Sequence, residues 1–308
     1  MRHDKLQADA SPVSVSQLGL IRLSGPARAI ALDVLRVNSL QAGAYVSHFR
    51  GRGMEFDESR PYQPGDDLRT IDWRVTARTG KPHTKVFREE RNRPVIAWID
   101  LRRPMMFATR GAFKAVIAAE AAALVSWSAV AHGDRLGGLV FSDTEHHELR
   151  PALGRRAALR LLRRICDSWQ PPTAAEHEPT DMGRALLRLT RVARPGSLVC
   201  LISDFRGLGD EGDRHLRRLA IHSDLLLIHV YDPIEAELPP PGRYRIQTGH
   251  RSFGIETGDK VARDRYRRQF EERRERLQQI QRLPGVALVE CRTHEDPRMV
   301  LAGRFRKQ

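Results

Sequence analysis

Five runs of strand length, each almost wholly apolar, recur from residue 95 onward: VIAWID (95–100), GGLVFSD (137–143), SLVCLISD (197–204), DLLLIHVYD (224–232) and VALVECR (286–292). A strand with one face in water alternates apolar and polar residues, whereas a run without alternation has both faces covered. Helical stretches lie between the runs. One spans 112–131, and a second has its apolar face at Ala158, Leu161, Leu162, Ile165 and Trp169. MGRALLRLTRVA follows a capping Thr180 or Asp181, and further helices are expected over 212–222, 258–282 and 296–304. Strands alternating with helices predict an α/β fold with a doubly wound, mostly parallel sheet covered on both faces. HHELRP (146–151) is expected to return antiparallel at its edge, and 243–257 to form a hairpin insertion.

Upstream of this pattern the texture differs. Residues 1–25 are polar and lack periodicity, which predicts a flexible N-terminal arm. Residues 26–92 read as a helix carrying Ile30, Leu32, Val34, Leu35 and Val37, followed by a charged segment rich in Gly and Pro. That segment has too few apolar residues for a core of its own. HTKVF (83–87) is expected to pair with the 243–257 hairpin as a small β unit. Residues 93–308 form the sheet domain.

The 308 residues hold 52 Lys plus Arg against 38 Asp plus Glu, a formal net charge of +14. Only six of the basic residues are lysines, so the excess is arginine, which also serves in buried ion pairs. The charge is compatible with an anionic partner but selects none. Three cysteines without CxxC spacing exclude a disulfide framework and a thiolate zinc site. No stretch reaches the roughly 18–20 uninterrupted apolar residues of a membrane span, and MRHDKLQADASPVS lacks the apolar core of a secretory signal. The expectation is a soluble protein of a reducing compartment, cytoplasmic or peripheral to the inner membrane.

In an open α/β sheet, ligands bind beyond the carboxyl ends of the strands, where the strand order switches. Three runs end in aspartate, at Asp100, Asp204 and Asp232, and Asp143 follows a fourth within its hairpin turn. Converging carboxylates suit a hard cation. Aspartate also caps loops and helices after strands in any such fold, which is the plainer reading.

WIDLRRPM, PTDMGRAL and LISDF resemble, in order and spacing, the three metal-site loops of von Willebrand factor A-like domains. GRGMEFDESRPYQPGDDLRTIDWRVTAR, with the later HVYDPIEAELP, is similar to the signature of the domain of unknown function 58 (DUF58) family, bacterial proteins that carry this A-like domain. The resemblance runs from about Gly51 to the C-terminus. It implies a metal-ion-dependent adhesion site in which Asp100, Thr180 and Asp204 stand at ligand positions for a divalent cation, usually Mg2+. Two expected serine ligands are replaced by Arg102 and Pro104, neither of which offers a side-chain acceptor. Arg102 is therefore expected to take the cation's place and pair with Asp100 or Asp204, against the alternative of a weak, remodelled metal site. The degenerate site predicts no cofactor. The resemblance also implies a partner: members are commonly encoded beside MoxR-type AAA+ ATPases, and are thought to act with them in chaperone-like assembly or activation of client proteins.

The segment around GDDLRTIDW brings Asp66, Asp67 and Asp72 beside Arg60, Arg69, Arg74 and Arg78, with Tyr62 and Trp73. Trp, Tyr and Arg anchor protein interfaces, so a recognition patch is one reading. A self-satisfied charge network that fixes a loop lacking its own core is the other. Arg102 and Arg103 are further candidates for binding a partner's carboxylate in bidentate fashion. No phosphate loop, GxSxG elbow or ligand-spaced histidine set emerges. The leading expectation is a non-enzymatic interaction protein. A basic nucleic-acid binder, or a metal-dependent hydrolase, are the alternatives.

Overall fold

The computed structural model describes residues 11–32, 54–63, 66–89, 93–169, 181–248 and 251–305. The chain divides into two units, one of Met1–Ser39 with Arg93–Gln308 and one of Leu40–Asn92. Helix α1 (Gln17–Arg22) belongs to the first, and β1 (Met54–Pro61), α2 (Trp73–Thr79) and β2 (His83–Glu89) to the second. The first unit continues with β3 (Pro94–Asp100), α3 (Lys114–Ala131), β4 (Arg135–Phe141), β5 (His146–Ala152) and α4 (Arg155–Asp167). Then come α5 (Met182–Val192), β6 (Leu198–Ser203), α6 (Asp210–His222), β7 (Asp224–Tyr231) and α7 (Pro233–Ala236). The hairpin β8 (Arg243–Thr248) and β9 (Arg251–Glu256), α8 (Lys260–Gln281), β10 (Val286–Arg292) and α9 (Pro297–Arg304) complete it.

The apolar runs form one six-stranded sheet in the order β5-β4-β3-β6-β7-β10. All neighbours are parallel except β5, which returns antiparallel along β4. Period-2 alternation then sorts each strand's side chains onto two cores. Val95, Ala97 and Ile99 of β3 face a core shared with α1, α3, α4 and α9, while Ile96 and Trp98 face one shared with α5, α6 and α8. This is the doubly wound, mostly parallel α/β fold expected. From β3 the chain proceeds to β4 on one side, and from β6 to β7 on the other. The order therefore switches between β3 and β6, and a crevice opens beyond their carboxyl ends.

Helix α3 is the buried centre of the first core. Fifteen of its residues are buried, from Lys114 to Ala129, so a stretch apolar and long enough to cross a membrane is here an interior element. Its all-round apolar character is what a helix enclosed on every side requires.

Three expectations need correction. The arm expected over 1–25 contains α1, whose Ser16 caps Gly19 N and whose Leu20 is buried against the first core. Trp127 Nε1 donates to Leu20 O at 3.0 Å, and Phe113 N to Pro12 O at 2.8 Å. One turn and a half with a single buried residue leaves no periodic signal to read. The pairing of HTKVF is also different: β2 runs antiparallel to β1, from Met54↔Glu89 to Pro61↔His83, while β8 pairs with β9. The expected helix after Pro26 is a single 3-10 turn over Pro26–Ala29, and its Val34–Val37 portion lies outside the described residues.

Candidate functional site at the carboxyl ends of the strands

Asp100 ends β3 and is wholly buried. Arg102 forks onto it, with Nε 3.0 Å from Oδ1 and Nη2 2.7 Å from Oδ2, and its backbone N–H adds a third bond at 3.0 Å. Ser203 Oγ, at the end of β6, donates to Oδ2 at 2.7 Å. Four donors fill the roughly four acceptor positions of a carboxylate. Arg102 is itself buried, lies 5.5 Å over the Phe141 ring and donates to Arg206 O. Burial disfavours its charge, but Asp100 outweighs that and raises its affinity for the proton.

Asp204 follows β6 and is answered by a different cation. Lys114, the first residue of α3, places Nζ 2.6 Å from Asp204 Oδ2 and 2.7 Å from Glu235 Oε1, with none of its surface exposed. Burial alone would raise the Asp204 pKa; the Lys114 ammonium, its hydrogen bond and the Arg206 N–H at 2.9 Å hold it well below the usual carboxylate range. Arg206 Nη2 bonds Glu235 Oε1 at 2.7 Å. Phe205, between Asp204 and Arg206, has φ 52°, the single non-glycine residue with positive φ among the described residues. Such a conformation costs about 1–2 kcal/mol in a non-glycine residue. Here it accompanies burial of the ring and a bond from Phe205 N to Ser203 Oγ.

Asp232, after β7, serves the backbone. Its carboxylate accepts from Thr109 N and Oγ1, Thr293 Oγ1 and Ile234 N, at 2.6–3.0 Å. Burial pushes its pKa up, and these donors more than reverse the effect. Glu235 closes a capping box with it over α7. Asp143 accepts from Arg103 N at 2.7 Å in the turn after β4. His229 of β7 is buried among Phe205, Tyr231 and Phe270, and burial followed by the nearby Arg273 charge lowers its pKa to about 3, so it is neutral.

The A-like resemblance implies a divalent cation, and the described residues do not fit one. Asp100 has its acceptor positions filled by Arg102 and Ser203, and Asp204 faces an ammonium at contact distance. Two fixed cations would oppose a third. Thr180 lies outside the described residues. The side chain that engages Asp204 is thus Lys114 rather than Arg102. It escapes a sequence reading because a lysine at the start of a helix looks like ordinary surface. The available signal was its place at the head of a sixteen-residue run, Val116–Ala131, broken by one charge, in a chain with six lysines. Glu235 was legible as the fourth residue of Asp-x-x-Glu, a capping-box pattern.

In the smaller unit, the acidic residues singled out from sequence are engaged locally, one by an arginine and two by backbone N–H groups. Arg60 forks onto Asp66 at 2.7 and 2.9 Å. Asp72 caps α2 through Arg74 N and Val75 N and accepts from Ser59 Oγ. Asp67 caps the 3-10 turn at Arg69 N. Tyr62 is half-buried, whereas Arg69, Arg78 and Trp73 are exposed, Trp73 to 71%. The first set is a local structural network, and Arg69, Arg78 and Trp73 stand outside it at the surface.

The family model "Protein of unknown function DUF58" matches residues 58–276. The chain belongs to the DUF58 family. Relatives of this DUF58 chain include the uncharacterized proteins Rv1480 of Mycobacterium tuberculosis and Mb1516 of Mycobacterium bovis, each 31% identical over 280 residues, covering 89% of this chain and 86% of the relative. Among solved structures it is similar to the conserved hypothetical protein BatB from Bacteroides thetaiotaomicron (TM-score 0.41, 13% identity, 68% of this chain and 96% of that one). It is also similar to a von Willebrand factor type A protein from Catenulispora acidiphila (TM-score 0.41, 11% identity, 73% and 42%).

Proposed function

We propose that this DUF58 protein is a non-enzymatic adaptor that works with a MoxR-type AAA+ ATPase to assemble or activate client proteins. The partnership is what the family resemblance implies. The observation that carries the rest is the state of the strand-end carboxylates: Asp100, Asp204 and Glu235 are engaged by Arg102, Lys114 and Arg206 of the same chain. General acid–base or metal-assisted chemistry needs such groups turned toward a substrate or an open coordination position. Internal neutralisation instead supports a preformed surface at the mouth of the sheet. Docking there proceeds without a bridging Mg2+.

Affinity capture from native lysate in the presence of ATP or ADP, read by mass spectrometry, tests this reading. Nucleotide-dependent recovery of an AAA+ ATPase, with or without a client, supports it. Recovery of nucleic acid without any ATPase or client overturns it in favour of the basic nucleic-acid binder.

A further inference from the structure

Helix α4 departs from electrostatic rules that α6 keeps. Its sequence, RRAALRLLRRICD, holds five arginines and one aspartate. Arg155 and Arg156 stand in the first turn, which has no acidic residue, and Gly154 supplies no side-chain cap. Positive charge at that end opposes the helix dipole. Arg160 has like-charge neighbours at Arg156, Arg163 and Arg164, all at the i,i+3 or i,i+4 spacing, and each such pair weakens a helix. In α6 the pattern is the reverse: the first turn carries Asp210, Glu211 and Asp213, and Arg217 pairs with Asp213 at 2.6 Å.

The fold does little to relieve this repulsion. Arg156, Arg160 and Arg164 make no hydrogen bond or ion pair among the described residues. Arg155 lies 5.7 Å over the Trp127 ring. Arg163 meets Asp167 at 3.7 Å, but the two side chains are 75% and 49% exposed, and such a contact contributes little. Packing fixes where the charges point. Ala157, Ala158, Leu161, Leu162 and Ile165 are buried in the first core, which leaves Arg156, Arg160 and Arg163 along the exposed face at i, i+4 and i+7. They form a row roughly 10 Å long, at about 1.5 Å of rise per residue. A row of like charges that weakens its own helix marks a surface kept for something other than folding.

We propose that this face of α4 docks an acidic segment of a partner protein, whose carboxylates pair with Arg156, Arg160 and Arg163. Charge complementarity selects an anion. Asp167 stands one turn beyond Arg163 on the same face, so a long polyanion running along the helix meets a like charge after three contacts. A short acidic segment does not. Nucleic-acid modules stack bases or put an element into a groove, whereas α4 carries no exposed aromatic residue and is seated against α1 and α3. Its apolar residues are used in the core, which leaves none to enter a bilayer. The protein nature of the partner rests on the adaptor reading above; the anion-binding face does not. Arg102, the candidate suggested by sequence, is closed off by Asp100.

The test titrates the full chain, at about 100 mM salt, with a blocked helical peptide bearing glutamates at i, i+4 and i+7 and with its glutamine twin. A DNA duplex of about 20 base pairs and phosphatidylglycerol vesicles are titrated beside them. The glutamate peptide should bind saturably, at least about tenfold more tightly than its twin, and more weakly as salt rises. Arg156→Gln/Arg160→Gln/Arg163→Gln should lose about tenfold or more of that affinity while Tm stays or rises, because repulsion is removed. Arg156→Lys/Arg160→Lys/Arg163→Lys keeps the charge and should lose less. Arg265→Gln/Arg268→Gln, at exposed positions of α8, should change the affinity by less than about threefold. Equal binding of both peptides, tighter binding of DNA or vesicles, an equal loss in the α8 variant, or a fall in Tm of the α4 glutamine variant each overturn the proposal. Arginine side-chain NMR of the wild type depends on no variant folding: the glutamate peptide should shift Arg156, Arg160 and Arg163, and shifts confined to other arginines overturn the proposal too. Undiminished capture of the ATPase by the α4 glutamine variant would remove this face and leave the adaptor reading standing; glutamate binding without ATPase capture would do the reverse.

Discussion

Replacing Lys114 with methionine removes the ammonium and keeps most of the side-chain volume. Asp204 and Glu235 would then lose contacts of 2.6 and 2.7 Å in a place where Lys114 and Asp204 expose no surface and Glu235 exposes 2%. Removing one partner of a buried pair typically costs about 3–5 kcal/mol, because the remaining charge is left uncompensated. Domain stability is itself only about 5–15 kcal/mol. For a domain of this size the loss corresponds to a fall of about 6–20 °C in Tm. The pH dependence follows from Asp204. Its folded pKa is depressed, so its contribution is present above the unfolded value near 3.9 and is lost as pH falls through the folded value. Urea denaturation at pH 7 and near pH 2 should therefore show a large gap between wild type and Lys114→Met at the first and a small one at the second. Lys114→Met/Asp204→Asn should recover part of the loss at pH 7. A single variant within about 1 kcal/mol of wild type at pH 7, with an unchanged denaturant slope, would refute the role assigned to this ammonium.

Three further outcomes are expected. Adding 10 mM MgCl2, or EDTA, should leave the wild-type Tm unmoved; a specific site half-saturated near 0.1 mM would instead stabilise by about 2.7 kcal/mol, visible by calorimetry. Glu120, within α3, has its pKa raised to about 7 by burial and then by Asp296, so ionisation opposes the fold and stability falls as pH rises from about 4.5 through 7. Glu120→Gln should accordingly stabilise by up to about 3 kcal/mol at pH 8 and by little at pH 4, measured by thermal denaturation. Asp232→Ala leaves four donors without their acceptor and should cost about 2–4 kcal/mol, with earlier proteolysis near Thr109 as the diagnostic of a released loop.

The sheet was legible because burial on both faces writes itself into sequence as unbroken apolar runs, and VIAWID and DLLLIHVYD have no other natural reading. Strand partners across long separations leave no such mark, which is why β2 was matched with the hairpin instead of β1. At the site, the replaced serine ligands followed from the A-like resemblance, which left Arg102 to pair with Asp100 or Asp204; the structure selects Asp100. The Lys114 contact could not be read, since Lys114 and Asp204 are 90 residues apart and the contact depends on where the first turn of α3 meets the end of β6.

The ammonium that faces Asp204 is tethered to the backbone, and so it has no dissociation equilibrium. A bound metal exchanges with a cellular pool and leaves when that pool is depleted, which makes metal-dependent adhesion conditional on ion supply. A lysine is present in every copy from the moment of folding, at an effective concentration no pool can alter. The positive charge at this mouth is therefore inherited with the chain and does not follow ion supply.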